Sequence, residues 1–165
     1  MHLRALENLA NSYPLLKDVD RASLVTATWH QLKAFAGASE AINRLRSKYT
    51  VVVLTILSWK SIVGSSKAAR VQWDGIISCE FLGYYKPSRQ AYLRAIGLLG
   101  LQPTEAMMVA AHEGDLAGAQ AAGLHTAYVR VPEKDNIGAA YPQPSTITFD
   151  VEADDFEDLC RKLGL

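Results

Sequence analysis

The chain has 165 residues, of which 49% are hydrophobic and 21% are charged, and its 17 basic residues balance 17 acidic ones. This length suits one domain with a buried core, and the composition excludes a disordered chain or a coiled coil. Because the net charge is zero and the longest apolar stretch, residues 51–57, is too short to span a bilayer, we expect no nucleic-acid or membrane partner.

The first third of the chain has the pattern of helices. Apolar residues recur at helical spacing from Leu3 to Leu9, and Pro14 ends that run. Asp20 is placed to cap a second helix, and Ser39 is placed to cap a third.

The hydrophobic period then changes. Residues 51–55 are mostly β-branched and almost continuously apolar, which predicts a strand buried on both faces, as in a parallel sheet. Further strands are predicted at residues 75–78, 107–110, 126–129 and 147–149, and helices at residues 88–99, 114–122 and 153–163. Residues 131–145 have the composition of a long loop. This alternation predicts a doubly wound α/β fold with a parallel sheet.

Polar side chains follow three of the predicted strands. Thr55 ends the first, Lys86 follows the second, and His112 and Asp115 follow the third. Ligands of such folds bind beyond the carboxyl ends of the strands, where these groups could hold an anion and transfer protons. Taken singly, each has a simpler structural role, as a strand residue, a solvated loop residue or a residue of a helix's first turn. Their shared position after successive strands favours a functional site.

Longer motifs surround these residues. They are Gly83-Tyr84-Tyr85-Lys86-Pro87, Tyr92 six residues after the lysine, and the run from Met108 to Ala119. With these motifs the chain resembles the 2-haloacid dehalogenase branch of the haloacid dehalogenase (HAD) superfamily, over nearly its whole length. The resemblance implies a Rossmannoid parallel sheet in residues 37–165 and part of a helical cap in residues 1–36.

The resemblance also implies a chemistry. In that branch an aspartate attacks C2 of a small 2-haloacid, displaces halide, and is released from its ester by water. On this sequence Thr55 would hydrogen-bond the nucleophile or the substrate carboxylate, and Lys86 would hold the carboxylate charges. Tyr92 would position Lys86, and Asp115 would orient Lys86 or the hydrolytic water. His112 occupies a position that is Asn or His in the branch.

The chain departs from the family pattern in three places. The family's opening motif, Asp-x-x-Gly-Thr, is absent from the 165 residues. It belongs to the central strand, so the chain is expected to close the gap, borrow a strand from a partner or dimerise, and we expect a homodimer. Ile56 stands where the dehalogenases have an asparagine that binds the substrate carboxylate, and Gly114 where some relatives have an aromatic pocket residue. Both changes predict an altered substrate pocket.

Neither a metal nor another cofactor is expected. Phosphatase members of the superfamily hold magnesium partly through an acid four residues before the Asp115 position, which here is Ala111. A hard divalent cation needs oxygen ligands, and alanine offers none. Cys79 and Cys160 lack metal-ligand spacing, so we expect reduced thiols and a cytoplasmic protein.

Three hypotheses about function stay open at this point. The chain could be a truncated dehalogenase-type hydrolase that is unable to run the reaction alone. It could be a repurposed lyase, isomerase or cyclase that uses Lys86, His112 and Asp115 in acid-base chemistry on a carbonyl or carboxylate compound. It could also be a catalytically inactive binding or dimerisation module.

Overall fold

The structure, a computed structural model, describes residues 32–132 and 147–165, together with residues 18, 20, 23, 24 and 28. Strands and helices alternate along these ranges, which confirms the predicted α/β class. The helices are α1 (Ala38–Arg46), α2 (Trp59–Ala69), α3 (Cys79–Leu82), α4 (Arg89–Leu98), α5 (Glu113–Ala121) and α6 (Phe156–Lys162). The strands are β1 (Val52–Thr55), β2 (Gly75–Ser78), β3 (Met107–Ala110), β4 (His125–Val129) and β5 (Val151–Ala153).

All strand pairs in the described ranges are parallel, as predicted. β1 pairs with β2 in one sheet, and β3, β4 and β5 pair in that order in a second sheet. Thus the described strands form two separate sheets, as expected for a sheet that lacks its central strand.

The last predicted strand is wrong. Residues 147–149 are not a strand, and β5 lies slightly later in the chain. The ring of Phe149 stacks on that of Tyr128, with the centroids 5.4 Å apart, which accounts for an apolar residue at this position outside a strand. Asp150 then accepts a hydrogen bond from the Thr126 backbone N–H at 2.7 Å, which places the chain beside β4 before β5 begins.

The two predicted N-terminal caps have different outcomes. Asp20 Oδ1 accepts a hydrogen bond from the backbone N–H of Ser23 at 3.3 Å, as an N-cap residue does. The prediction for Ser39 is wrong, because α1 begins at Ala38 and Gly37, with φ of 76°, occupies the N-cap position. The Ser39 hydroxyl instead lies 3.4 Å from the carbonyl oxygen of Ala69.

Helices cover both faces of the strands. On one face, α4 and α5 contribute a buried cluster against which Leu54 of β1 and Met108 of β3 pack. On the other face, α1 and α6 contribute a cluster that Val51 and Met107 contact. All residues of β1 are only partly buried, contrary to the prediction of a fully buried strand, because the edge of β1 away from β2 has no partner among the described residues.

Asp74, which precedes β2, fastens the start of β1. Its carboxylate accepts hydrogen bonds from the backbone N–H of Val51 and from Arg46 Nε, each at 2.8 Å. The N–H of Val51, and then the Arg46 guanidinium, hold the pKa of Asp74 below its usual value. These hydrogen bonds tie the start of β1 to the residue that precedes β2.

Other predictions fall only partly on residues that the structure describes. Most of the segment 1–36, predicted as a partial cap, and most of the loop 131–145 lie outside the described residues. Cys79 and Cys160 are buried free thiols. In the part of the chain that the structure describes, no helix combines the length and hydrophobicity required to cross a membrane.

Candidate functional site

The candidate site is built on an ion pair between two strand ends. Lys86 follows β2 and the short α3, which ends at Gly83 with φ of 72°. Asp115 lies in the first turn of α5, directly beyond β3. Lys86 Nζ lies 2.7 Å from Asp115 Oδ2, and the two side chains are only 15% and 16% exposed. At this burial the pair is partly shielded from water, so its geometry is more firmly held than that of a surface ion pair.

Tyr92 on α4 holds the other oxygen of the same carboxylate. Its hydroxyl donates to Asp115 Oδ1 at 2.6 Å and lies 3.0 Å from the backbone oxygen of Asp115. The side chain is fully buried. Burial, and then the hydrogen bond to Asp115, raise the pKa of Tyr92 well above its ordinary value, so the phenol stays protonated. Both carboxylate oxygens of Asp115 therefore have a fixed donor.

Gly118 allows this arrangement. It lies one turn after Asp115 on α5, where an added Cβ would come within 2.8 Å of both the Pro87 backbone oxygen and the Tyr92 hydroxyl. Only glycine lets α5 approach Pro87 and Tyr92 so closely. Sequence reasoning assigned Gly118 no role, and a glycine inside a helix three residues after the acidic residue was the available signal.

Thr55 and Ile56 lie at the end of β1 but do not join this network. Thr55 Oγ1 accepts a hydrogen bond from the Leu57 backbone N–H at 3.1 Å, and the Leu57 carbonyl in turn accepts one from the Ser78 hydroxyl at 2.7 Å. Among the described residues, Thr55 makes no hydrogen bond to Lys86 or Asp115. Ile56 is 41% exposed, so it presents apolar surface where the resemblance implies a polar carboxylate ligand.

His112 and Gly114 flank the start of α5. His112 occupies the N-cap position with an exposed side chain that makes no capping hydrogen bond. Within the described part of the chain it forms no hydrogen bond to Lys86 or Asp115. Gly114 is half-buried in the first turn of α5. The structure therefore brings together Lys86, Asp115 and Tyr92, whereas Thr55, Ile56, His112 and Gly114 stand at strand ends outside that hydrogen-bonded group.

A comparison with known families agrees with this arrangement. The family model described as haloacid dehalogenase-like hydrolase matches residues 3–123, which is well over half of the chain. The chain belongs to this family.

Several proteins to which this chain is similar are dehalogenases. The structure of L-2-haloacid dehalogenase PA0810 is 32% identical in sequence, with a TM-score of 0.85, over 99% of this chain and 72% of that one. The defluorinating L-2-haloacid dehalogenase Rha0230 is 30% identical, with a TM-score of 0.84, over 99% of this chain and 68% of that one. (S)-2-haloacid dehalogenase 1 of Pseudomonas sp. (strain CBS-3) is 25% identical over 142 residues, which are 84% of this chain and 63% of that protein. This chain thus spans less than two thirds of the length of that curated relative.

Within the described ranges of the chain, no group of three or more His, Cys, Asp or Glu residues could hold a metal. Ala111 stands at the position where the phosphatase-type acid would be and contributes no side-chain oxygen.

Proposed function

We propose that this chain supplies the cationic part of a dehalogenase-type site for a small 2-haloacid, in which Lys86 binds and stabilises negative charge. The observation that carries the proposal is the convergence of Lys86 and Tyr92 on the two oxygens of Asp115. This arrangement leaves the ammonium of Lys86 fixed at the carboxyl ends of the strands, where a carboxylate-bearing substrate would enter. The names of the dehalogenase relatives support this substrate class.

The chemistry of this reaction class has two displacements. A carboxylate oxygen forms a bond to C2 of the substrate while the carbon–halogen bond breaks and halide leaves with the electron pair. Water then adds to the acyl carbon of the ester and releases the 2-hydroxy acid and the carboxylate, with loss of a proton. In both steps negative charge sits near the fixed Lys86 ammonium, which stabilises it.

We further propose that the 165 residues alone do not release halide. Asp115 has both carboxylate oxygens occupied by fixed donors, so neither is free to attack carbon. The sequence contains no Asp-x-x-Gly-Thr motif that would supply a second carboxylate. Ala111 supports a reaction that does not depend on a metal.

The test separates substrate binding from turnover. L-2-Chloropropionate is added to the purified chain, chloride release is followed with an electrode, and binding is measured by isothermal titration calorimetry. We expect binding without chloride release. Lys86→Met should weaken binding by about tenfold, since it removes one charge-assisted interaction. Lys60→Met, which changes an exposed lysine on α2, is the matched control and should bind like the wild type.

Two results would contradict the proposal. Chloride release that Asp115→Asn abolishes would show that Asp115 itself, or a carboxylate that depends on it, acts as the nucleophile. Folded wild-type protein that binds no 2-chloropropionate would exclude this substrate class for the chain.

A further inference from the structure

The segment that carries Lys86 has few backbone hydrogen bonds of its own. α3 ends at Leu82, and residues 83–86, which we call the lysine loop, follow it. None of the backbone N–H groups of residues 84–86 donates a hydrogen bond to another described residue, and the side chains of Tyr84 and Tyr85 are exposed. A loop with so few internal hydrogen bonds keeps one geometry when another element of the fold holds it.

Arg94 on α4 contacts this part of the chain at two points. Its Nη1 donates a hydrogen bond to the backbone oxygen of Leu82 at 2.8 Å, at the C-terminal end of α3. Its guanidinium carbon lies 4.7 Å from the centroid of the Tyr84 ring, within the range of about 6 Å for a cation–π interaction. Gly83 lies between them with φ of 72°, and an added Cβ there would be 3.9 Å from Arg94 Nη1. The chain therefore runs along the guanidinium for three successive residues.

α4 thus contacts both sides of the ion pair. Tyr92 and Arg94 are two residues apart, so their side chains leave α4 about 200° apart around the helix axis. The Tyr92 hydroxyl donates to Asp115, whereas Arg94 holds the segment that leads to Lys86. Small residues of α4 pack against α3 in one buried cluster, which fixes the distance between these two helices. One helix therefore sets where both charged groups can lie.

We propose that Arg94 is a positioning residue for Lys86, which holds the lysine loop so that the ammonium stays in its ion pair with Asp115. Lys86 has a flexible four-carbon stem, so the place of its ammonium depends on where the backbone starts. Among the described residues Arg94 makes no hydrogen bond to Lys86 or Asp115, so it acts through Leu82 and Tyr84. The effect on substrate binding rests on the proposed function, whereas the position of Lys86 can be measured without substrate.

Competitive labelling of amines measures the position of Lys86. The full chain is treated with a trace of acetic anhydride, and mass spectrometry gives the acetylation rate of Lys86 relative to that of the exposed Lys60. In the wild type Lys86 should react more slowly, because its side chain is 15% exposed and paired with Asp115. Arg94→Met should raise the ratio of the two rates by about threefold, since the loss of both contacts lets the ammonium leave the ion pair.

Arg89 on the same helix is the matched control. Its Nε lies 3.3 Å from the backbone oxygen of Ala121 at the C-terminal end of α5, so it makes the same kind of contact away from the lysine loop. Arg89→Met should leave the labelling ratio unchanged. Arg94→Lys keeps a cation over the Tyr84 ring and should return the ratio part of the way to the wild-type value.

Two variants of Tyr84 test the other half of the contact. Tyr84→Phe keeps the ring and should label like the wild type, whereas Tyr84→Ala should raise the ratio as Arg94→Met does. Because the Tyr84 side chain is 39% exposed, Tyr84→Ala serves as the test if Arg94→Met does not fold.

The same variants are then titrated with L-2-chloropropionate by calorimetry. Arg94→Met should weaken binding by about three- to fivefold, which is less than the loss for Lys86→Met, because the ammonium is still present but less firmly held. Arg89→Met should bind like the wild type.

Two outcomes would overturn the inference. A labelling ratio that is unchanged in both Arg94→Met and Tyr84→Ala would show that Lys86 keeps its position without these contacts. An equal rise in Arg94→Met and Arg89→Met would show that α4 has loosened as a whole. A raised ratio in Arg94→Met, combined with a wild type that does not bind 2-chloropropionate, would support the inference and contradict the proposed function.

Discussion

Replacement of Gly118 by alanine tests how closely α5 approaches the loop that carries Lys86. The new Cβ would lie 2.8 Å from the Pro87 backbone oxygen and from the Tyr92 hydroxyl, and 3.0 Å from Pro87 Cβ. Neither the backbone oxygen nor the buried phenol can move away without disturbing other contacts. The substitution should therefore push α5 outward and lengthen the Tyr92–Asp115 hydrogen bond.

The magnitude follows from two opposed effects. Alanine is favoured over glycine inside a helix by about 1 kcal/mol. Overpacking of a rigid site costs about 1–3 kcal/mol, and the upper part of that range applies because one neighbour is backbone. The net expectation is a loss of about 1–2 kcal/mol in the free energy of unfolding. Gly97 on α4 is the matched control, since an added Cβ there would have no neighbour within 4 Å. Gly97→Ala should stabilise the protein by about 0.5–1 kcal/mol.

Urea unfolding and thermal melts measure both variants side by side. For a domain of this size the two melting temperatures should differ by roughly 3–12 °C, with Gly118→Ala the lower. If Gly118→Ala stabilises the protein as much as Gly97→Ala does, α5 does not pack against Pro87 and Tyr92 as described, and the account of the site is wrong.

The other predictions concern Tyr92 and Asp158. Tyr92→Phe should lower the free energy of unfolding by about 1–3 kcal/mol, because the mostly buried Asp115 carboxylate loses one of its two side-chain donors; an unchanged urea midpoint would contradict this. The Asp158 pKa falls from 3.8 to about 2 because Lys162, and then the Asp154 backbone N–H, hydrogen-bond its carboxylate. A depressed pKa gives stability that is present above the ordinary value and lost as the pH falls toward the folded one. The urea midpoint should thus decrease between about pH 4 and pH 2, and Asp158→Asn should flatten that decrease; an equally steep decrease in this variant would refute the assignment.

Much of the fold follows from hydrophobic period alone. β2 and β3 lie where their short apolar runs predict, because strands with helices on both faces have few polar residues. The pattern predicts the last strand too early, at residues 147–149, because the apolar Phe149 stacks on Tyr128 and does not belong to a strand. A local pattern cannot distinguish a ring that stacks beside a strand from a residue within one.

In the site, too, local sequence patterns predicted some residues, whereas contacts between distant segments could not be predicted. Position after successive strands and the family resemblance both singled out Lys86 and Asp115, and the structure joins them in one ion pair. The Tyr92 hydroxyl hydrogen-bonds Asp115, which is the ion-pair partner of Lys86. Gly118 was missed because its role is a close approach between two elements that are distant along the chain. Such a distance is set by packing, which no single segment of the sequence encodes.

The division of the strands into two sheets has a consequence for how the molecule opens. Lys86 follows a strand of the first sheet and Asp115 a strand of the second, so their ion pair joins two units whose described strands share no backbone ladder. Proteins open in cooperative units that often coincide with such substructures. The first unit, β1 to α3, contains two paired strands, and the unit from β3 to β5 contains three. We therefore expect the first unit to exchange its amide hydrogens earlier. The difference between the exchange rates of the two units measures how strongly the Lys86–Asp115 ion pair and Tyr92 couple them.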